Sequence, residues 1–286
     1  MSNVSNMAVV DPSAKIGSDV TIGPFCVIGP DVTIGDGCEL KNSITVDGVT
    51  RIGRNNVIYP YAVIGIASQD LKYKGEPTLT NIGDGNVIRE NTMIHRGTEM
   101  GGGETVVGNH NFIMGGAHIA HDCILADSIL LGNQVMLAGH VKIETGAVIS
   151  AILGVNHFVS IGKYSYVGAM SPVRRDVPPF MKVSGDPAEI RGVNVEGLKR
   201  NGFSEQDMAD IKFAYKQLFR AQKRGSCIED ALEELSHEND LNQNVRYLCE
   251  FVYKSCNSPN HRALEVLRTD TEADRVRRKP FEVRTK

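Results

Sequence analysis

An aliphatic residue at every sixth position constrains this chain more than any other feature. Such positions run Ile16, Ile22, Ile28, Ile34, Leu40, Val46, Ile52, Ile58 and Ile64, and return in the same phase at Ile82, Ile88 and Ile94. Beyond a Gly-rich interruption, Gly101 to Gly103, a second series follows with no slip within it: Val107, Ile113, Ile119, Leu125, Leu131, Leu137, Ile143, Ile149, Val155, Ile161, Val167 and Val173. A helix would bring apolar residues round about every 3.6 positions and a half-buried strand every second one, so neither accounts for this period. Short strands joined by tight corners and stacked as a solenoid do.

Four residues after these positions stand small or medium side chains such as Val20, Cys26, Val32, Ala117, Cys123, Val141 and Ala147, which implies a second inward column. Three hexads would close a triangular coil of roughly 18 residues, with successive coils about 4.8 Å apart through parallel β hydrogen bonds. The step from Ile64 to Ile82 is read as one such coil carrying a loop. The expected architecture is therefore mainly β: a parallel β-helix over residues 8–190. After Pro178-Pro179 the hexads stop, and after Gly202 the period turns helical. Ser204 can cap a helix with Asp207 in its first turn, followed by an apolar face of Met208, Ile211, Tyr215, Leu218 and Phe219. Shorter helices are expected near 228–238 and 242–256, which places a helical domain at 191–256. A basic tail, 257–286, is expected to be flexible.

No run approaches the roughly 18 apolar residues of a membrane span, and the N-terminus has neither a basic leader nor a signal-type apolar run, so stable membrane insertion is not expected and the cytoplasm is. The six cysteines lack CxxC spacing, and two, Cys26 and Cys123, fall at inward positions, as reduced structural thiols would. Net charge is −3, but it is split: residues 1–190 carry 13 basic against 18 acidic groups, the remainder 18 against 16. The excess of cations in the C-terminal part suits an acidic partner. Nucleic acid is a poorer fit, since no binding motif or aromatic stacking platform accompanies the charges.

Five of the eight histidines lie between 110 and 157, and His118, His121, His140 and His157 fall off the aliphatic columns, so they are expected to point outward. On coils of roughly 18 residues, His121 and His140 occupy neighbouring coils at one edge, and His157 lies two coils above His121. A lone surface histidine is ordinarily a solvated side chain, whereas several stacked on one edge suggest a site. Asp122 follows His121 directly, and a carboxylate beside an imidazole can fix its tautomer and raise its basicity. The two could touch only at a corner, because consecutive residues on a strand face opposite ways. His118, His121 and His140 could alternatively be drafted as zinc ligands in the manner of the trimeric β-helix carbonic anhydrases, which have a similar solenoid. A non-catalytic trimeric scaffold is the third alternative.

The segments Ala117-His118-Ile119-Ala120-His121-Asp122-Cys123 and Leu137-Ala138-Gly139-His140-Val141 carry a resemblance to a known family. Gln69 to Pro77, Ile94-His95-Arg96-Gly97-Thr98 and Asn194 to Arg200 extend it to roughly residues 8–255. Together they resemble the UDP-N-acetylglucosamine O-acyltransferases of lipid A synthesis. That resemblance implies a left-handed β-helix, a homotrimer, and transfer of a 3-hydroxyacyl chain from acyl carrier protein to the sugar 3-hydroxyl, with no metal or other cofactor. It implies that His121 is the general base, that Asp122 orients it, and that the Gly139 N–H stabilises the oxyanion. Gln69, Asp70, Lys72, His95, His118, His140, Asn156 and His157 would place the sugar nucleotide. Asn194, Glu196 and Arg200 would contact the pantetheine or nucleotide across a subunit boundary. Tyr166, Ala169 and Met170 would set acyl length. Lys199, Lys212, Lys216, Arg220, Lys223 and Arg224 would dock the carrier.

Four positions depart from the family pattern. Asn156-His157-Phe158 stands where many members read His-Gln-Phe, and Asn201 replaces a second arginine after Lys199-Arg200. Ala169 replaces a glycine seen in some long-chain enzymes, which points to a shorter acyl groove. The sibling enzymes that N-acylate carry a separate N-terminal uridine-binding domain, for which hexads beginning by Ile16 leave no room.

Overall fold

The computed structural model describes residues 2–220, 227–237 and 241–257. Lys223, Arg224 and the expected tail beyond Asn257 lie outside the described residues. The chain forms the parallel β-helix that the hexads call for, left-handed as the resemblance implies, and among the described residues its strands, mostly of two to four residues, stack into three sheets of eleven, eight and eight strands.

The register explains the period. Ile22, Leu40, Ile58, Ile88, Ile113, Leu131, Ile149 and Val167 lie directly above one another in the largest sheet. Every one of them is at most 1% exposed, as are the second-column residues Val20, Cys26, Ala117, Cys123, Val141 and Ala147. Cys38 shares that column and is equally buried. Each buried aliphatic side chain contributes about 1.5–3 kcal/mol, so a charge at any of these positions would break the stack.

Each coil turns three corners, and non-glycine residues repeatedly take left-handed backbone there. Asp19, Asn55, His110, Ser128 and Tyr164 stand at one corner, and Phe25, Ser43, Tyr61, Asn91, Gln134, Ile152 and Met170 at the next. Asp122, His140 and Phe158, with φ of 60°, 64° and 62°, stand at the third. Such a conformation costs a side-chain-bearing residue about 1–2 kcal/mol.

Two coils are longer than the rest, and here the sequence expectation needs correction. Ile64 and Ile82 belong to different sheets. Ile82 pairs in register with Ile52, and Ile64 with Ile94, a repeat of 30 residues. The 18-residue spacing from Ile64 to Ile82 was one hexad plus a 12-residue insertion. Next, Ile94 pairs with Ile119, a repeat of 25, so a seven-residue insertion leaves the second aliphatic series one residue out of phase with the first. Both insertions, around 67–78 and 96–103, leave the coil at the third corner. They sit two coils and one coil before Asp122, respectively.

The solenoid also starts earlier than residue 8, with Asn3–Val4 paired to Thr21–Ile22. Its far end is closed by Met181–Ser184 and an antiparallel partner, Glu189–Val193. Among the described residues four helices follow: α1 Val195–Arg200, α2 Glu205–Tyr215, α3 Ile228–Ser236 and α4 Gln243–Asn257. The α2 start is a capping box, Ser204 and Asp207 each accepting from the other's backbone N–H, worth about 1 kcal/mol. After Tyr215 the helix does not simply continue. Lys216–Arg220 form a π-helical turn that carries both Leu218 and Phe219 into the core with Met208 and Ile211. α4 is tied to the solenoid by Tyr247 Oη donating to Glu144 (2.7 Å) and Ser255 Oγ donating to Asp176 (2.6 Å).

Candidate active site at the third corner

The left-handed turn at Asp122 folds its side chain back beside its predecessor, and His121 Nδ1 lies 2.7 Å from Asp122 Oδ2. An ionised carboxylate can only accept, so Nδ1 carries the proton and Nε2 of the neutral imidazole presents a lone pair. Asp122 has further donors: Thr98 N–H reaches Oδ1 at 2.8 Å and Thr98 Oγ1 reaches Oδ2 at 2.6 Å. Its own N–H donates to Thr105 Oγ1 at 2.8 Å. Burial pushes the Asp122 pKa upward, but the hydrogen bonds from His121 and Thr98 outweigh it and hold the carboxyl below its usual range.

His121 was expected to point outward, and in the structure its side chain is only 9% exposed, because the two insertions close over this corner. The first insertion brings Asp70 Oδ2 to 3.9 Å from His121 Nε2, too far for a hydrogen bond and near enough to wall the space in front of the lone pair. Asp70 accepts from the Lys72 backbone N–H, and the Lys72 ammonium stands 3.4 Å from it. Despite opposing burial, these contacts hold Asp70 below the usual carboxylate range. Gln69 is exposed beside them.

One coil on, Gly139 faces the imidazole. A Cβ there would fall 2.4 Å from His121 Cε1 and 2.6 Å from Nε2, so the position admits no side chain while His121 stays in place. His140 meets His121 edge-on, with ring centroids 5.1 Å apart, and its Nε2 is 3.8 Å from Asp122 Oδ2. Phe158 then stacks flat on His140, with centroids at 4.3 Å and planes at 6°. Burial lowers the His140 pKa, against the opposing pull of Asp122. Asn156 and His157 are exposed at the top of this column.

His118 and His95 form a second pair, edge-on with centroids at 5.0 Å. His95 is fully buried behind His118, and its Nδ1–H donates to the Ala67 carbonyl at 2.8 Å. The Nε2 atoms of both have no hydrogen-bond partner among the described residues. Burial, followed by the charges of His95 and His121, pushes His118 down to about 4.

Among the described residues, the three groups close enough to share a cation are His121, Asp122 and His140, not the trio with His118 that the sequence suggested. Asp122 fits that role poorly. Both its oxygens already accept hydrogen bonds, and a metal on Oδ2 would have to displace the donors from His121 and Thr98.

Among the described residues, the other expected site residues do not join this cluster within one chain. Asn194 caps α1, its amide spanning the Gly197 N–H and the Tyr164 carbonyl, while Glu196 and Arg200 are exposed on that helix. Tyr166 shares a hydroxyl contact with Ser150 at 3.2 Å. Ala169 and Met170 are exposed near the second corner. Lys199 on α1, Lys212 on α2, and Lys216 and Arg220 on the π turn are all exposed. Thr98, Thr105 and Phe158 were missed as site residues. Phe158 could have been found by adding one coil to His140. The reach of Thr98 depends on the unpredictable path of an insertion.

A family model described as Udp N-acetylglucosamine O-acyltransferase, Domain 2, matches residues 176–259, and one described as the GMPPB C-terminal domain matches residues 4–70. Among solved structures the chain is similar to LpxA, a UDP-N-acetylglucosamine acyltransferase from Bacteroides fragilis. The two are 37% identical over 88% of this chain and 97% of that one, with a TM-score of 0.84. LpxA from Acinetobacter baumannii is 40% identical with the same coverage and TM-score. The Francisella novicida UDP-N-acetylglucosamine acyltransferase is 37% identical, covering 93% of this chain and 100% of its own, with a TM-score of 0.85.

Proposed function

Because this chain belongs to the UDP-N-acetylglucosamine O-acyltransferase family, we propose that it moves an (R)-3-hydroxyacyl chain from acyl carrier protein to the 3-hydroxyl of UDP-N-acetylglucosamine. Its activity is that of a UDP-N-acetylglucosamine acyltransferase in lipid A biosynthesis; the donor and the residue roles are our reading.

The observation that carries the mechanism is the His121–Asp122 contact, which leaves Nε2 as a lone pair facing the space walled by Asp70. Imidazole is the side chain suited to exchange a proton near neutral pH. His121 Nε2 removes the proton as the sugar oxygen attacks the thioester carbonyl. The Gly139 N–H stabilises the resulting oxyanion. Collapse breaks the C–S bond, and the departing pantetheine thiolate takes back the proton held on His121. Asp122 keeps the imidazole in the required tautomer and stabilises its cation. His118, His140, His95, Asp70, Lys72, Gln69, Asn156 and His157 line or adjoin the space for the sugar nucleotide.

The active unit is a homotrimer in this reading. Asn194, Glu196, Arg200 and the acyl-length residues Tyr166, Ala169 and Met170 stand away from the His121 corner of their own chain, so a neighbouring copy supplies the second wall. The exposed cations Lys199, Lys212, Lys216 and Arg220 form the docking face for the acidic carrier. No helix among the described residues is long and apolar enough to cross a membrane, and we assign the enzyme to the cytoplasm.

The test is to incubate the protein with UDP-N-acetylglucosamine and a panel of 3-hydroxyacyl carrier proteins and follow acylated nucleotide by mass spectrometry. Product with at least one donor is expected. If none forms while the 3-amino analogue is acylated, the acceptor assignment is wrong; if neither reacts, the acyl-transfer reading fails.

A further inference from the structure

The insertion at 96–103 is longer than the corner requires, since the coils above turn the same corner without it. It lies directly against Asp122. A Cβ on Gly101 would fall 2.1 Å from Asp122 Cγ and Oδ2, so the loop passes as close as a glycine backbone allows. From this loop Thr98, itself 7% exposed, aims its N–H and its hydroxyl at the two carboxylate oxygens.

The loop is fixed at both ends of this contact. The Thr98 carbonyl accepts from the N–H groups of Gly101 and Gly103, and the Gly97 N–H donates to the Leu79 carbonyl. Thr78, at the end of the other insertion, donates its hydroxyl to the Gly97 carbonyl at 2.6 Å. The segment that carries Asp70 is thereby linked to the one that holds Asp122.

Asp122 has a competing partner, because His140 Nε2 stands 3.8 Å from Oδ2. A carboxylate held only by His121 could turn toward His140 and leave the His121 tautomer unfixed. We propose that Thr98 is a positioning residue of the reaction: its two donors lock the Asp122 carboxylate against His121, so that the proton stays on Nδ1 and the lone pair on Nε2. Thr98 itself touches no substrate. The kinetic consequence rests on the acyl-transfer reading; the tautomer does not.

The experiment compares wild type with Thr98→Val, which keeps the shape and loses the hydroxyl, and Thr98→Ser, which keeps the hydroxyl. Turnover is measured beside the His121 tautomer, read from long-range 1H–15N NMR correlations of histidine-labelled protein. Thr98→Val should lower kcat by about 10–100-fold, the range for losing a hydrogen bond to a charged group, with both KM values within about twofold of wild type. Thr98→Ser should recover most of the rate. In Thr98→Val the His121 signals should shift from the Nδ1–H form toward a mixture. Wild-type turnover in Thr98→Val, a loss as large in Thr98→Ser, or an unchanged tautomer would overturn the proposal. Should Thr98→Val fail to fold, Thr98→Ala adds no bulk and carries the same test. If wild type itself makes no product, the acyl-transfer reading falls and the tautomer measurement alone decides the role of Thr98.

Discussion

Asp122 follows His121 directly, yet its Oδ2 lies 2.7 Å from the His121 Nδ1, a contact made possible by the left-handed backbone of Asp122 at φ 60°. On an extended strand the two side chains would face opposite ways. The same conformation recurs at His140 and Phe158, one and two coils on, so the corner that turns the chain also builds a column of chemically useful side chains. Strain at a functional corner is offset by the ladder hydrogen bonds on either side.

Gly139 and His121 are mutually exclusive with bulk. Gly139→Ala would drive a methyl into the imidazole, and we expect turnover to fall by about 100-fold or more, the size associated with losing the base or an oxyanion donor. Steady-state kinetics with circular dichroism as a folding control checks this. A fully active, folded Gly139→Ala would show that His121 need not occupy its observed position.

Acid should destabilise the fold before it disturbs the surface. His118 titrates at about 4 in the folded chain and near 6.5 when unfolded. Between those values the unfolded state binds a proton that the folded state does not, so stability falls as pH falls through this window. His95 and His140, also lowered by burial, act in the same direction. Asp122 and Asp70, held below the carboxylate range, add stability that is lost as pH falls through their folded values. Urea midpoints should therefore drop from about pH 7 to about pH 4, with a shallower slope in His118→Phe. A flat or rising profile in wild type would contradict the burial of these groups.

Ala169 stands exposed between Tyr166 and Met170. If this stretch limits the acyl groove, Ala169→Gly should shift the preferred donor to a longer chain. Competition among 3-hydroxyacyl carrier proteins of graded length reads it out, and an unchanged profile refutes the role.

The cations Lys212, Lys216 and Arg220 recur every four residues along α2 and the π turn. Lys212→Glu combined with Lys216→Glu should raise the KM for the carrier by about tenfold at low salt, less at high salt, and leave the KM for the sugar nucleotide unchanged. An equal effect on both substrates would point away from carrier docking.

Much of this molecule is legible before folding. Ile22 and its successors declare the solenoid because an inward column must be aliphatic at every coil, and the edge shared by His121, His140 and His157 follows from counting coils. What the repeat cannot reveal is the path of residues that leave it. Asp70 and Thr98 lie on insertions whose conformation depends on contacts such as Thr78 with Gly97, and periodicity says nothing about those. The same limit hid the true coil of 30 residues behind an 18-residue spacing. Nor does one chain bring Arg200 or Met170 to the His121 corner, which is why their roles are read through a neighbouring copy.

His121 is the proposed general base. Replacing it with Ala in the same acyl-transfer assay, with the oligomeric state followed by size exclusion, should lower kcat by about 100-fold or more and leave assembly and thermal unfolding near wild type. An assembled His121→Ala protein that still acylates UDP-N-acetylglucosamine at the wild-type rate would contradict it.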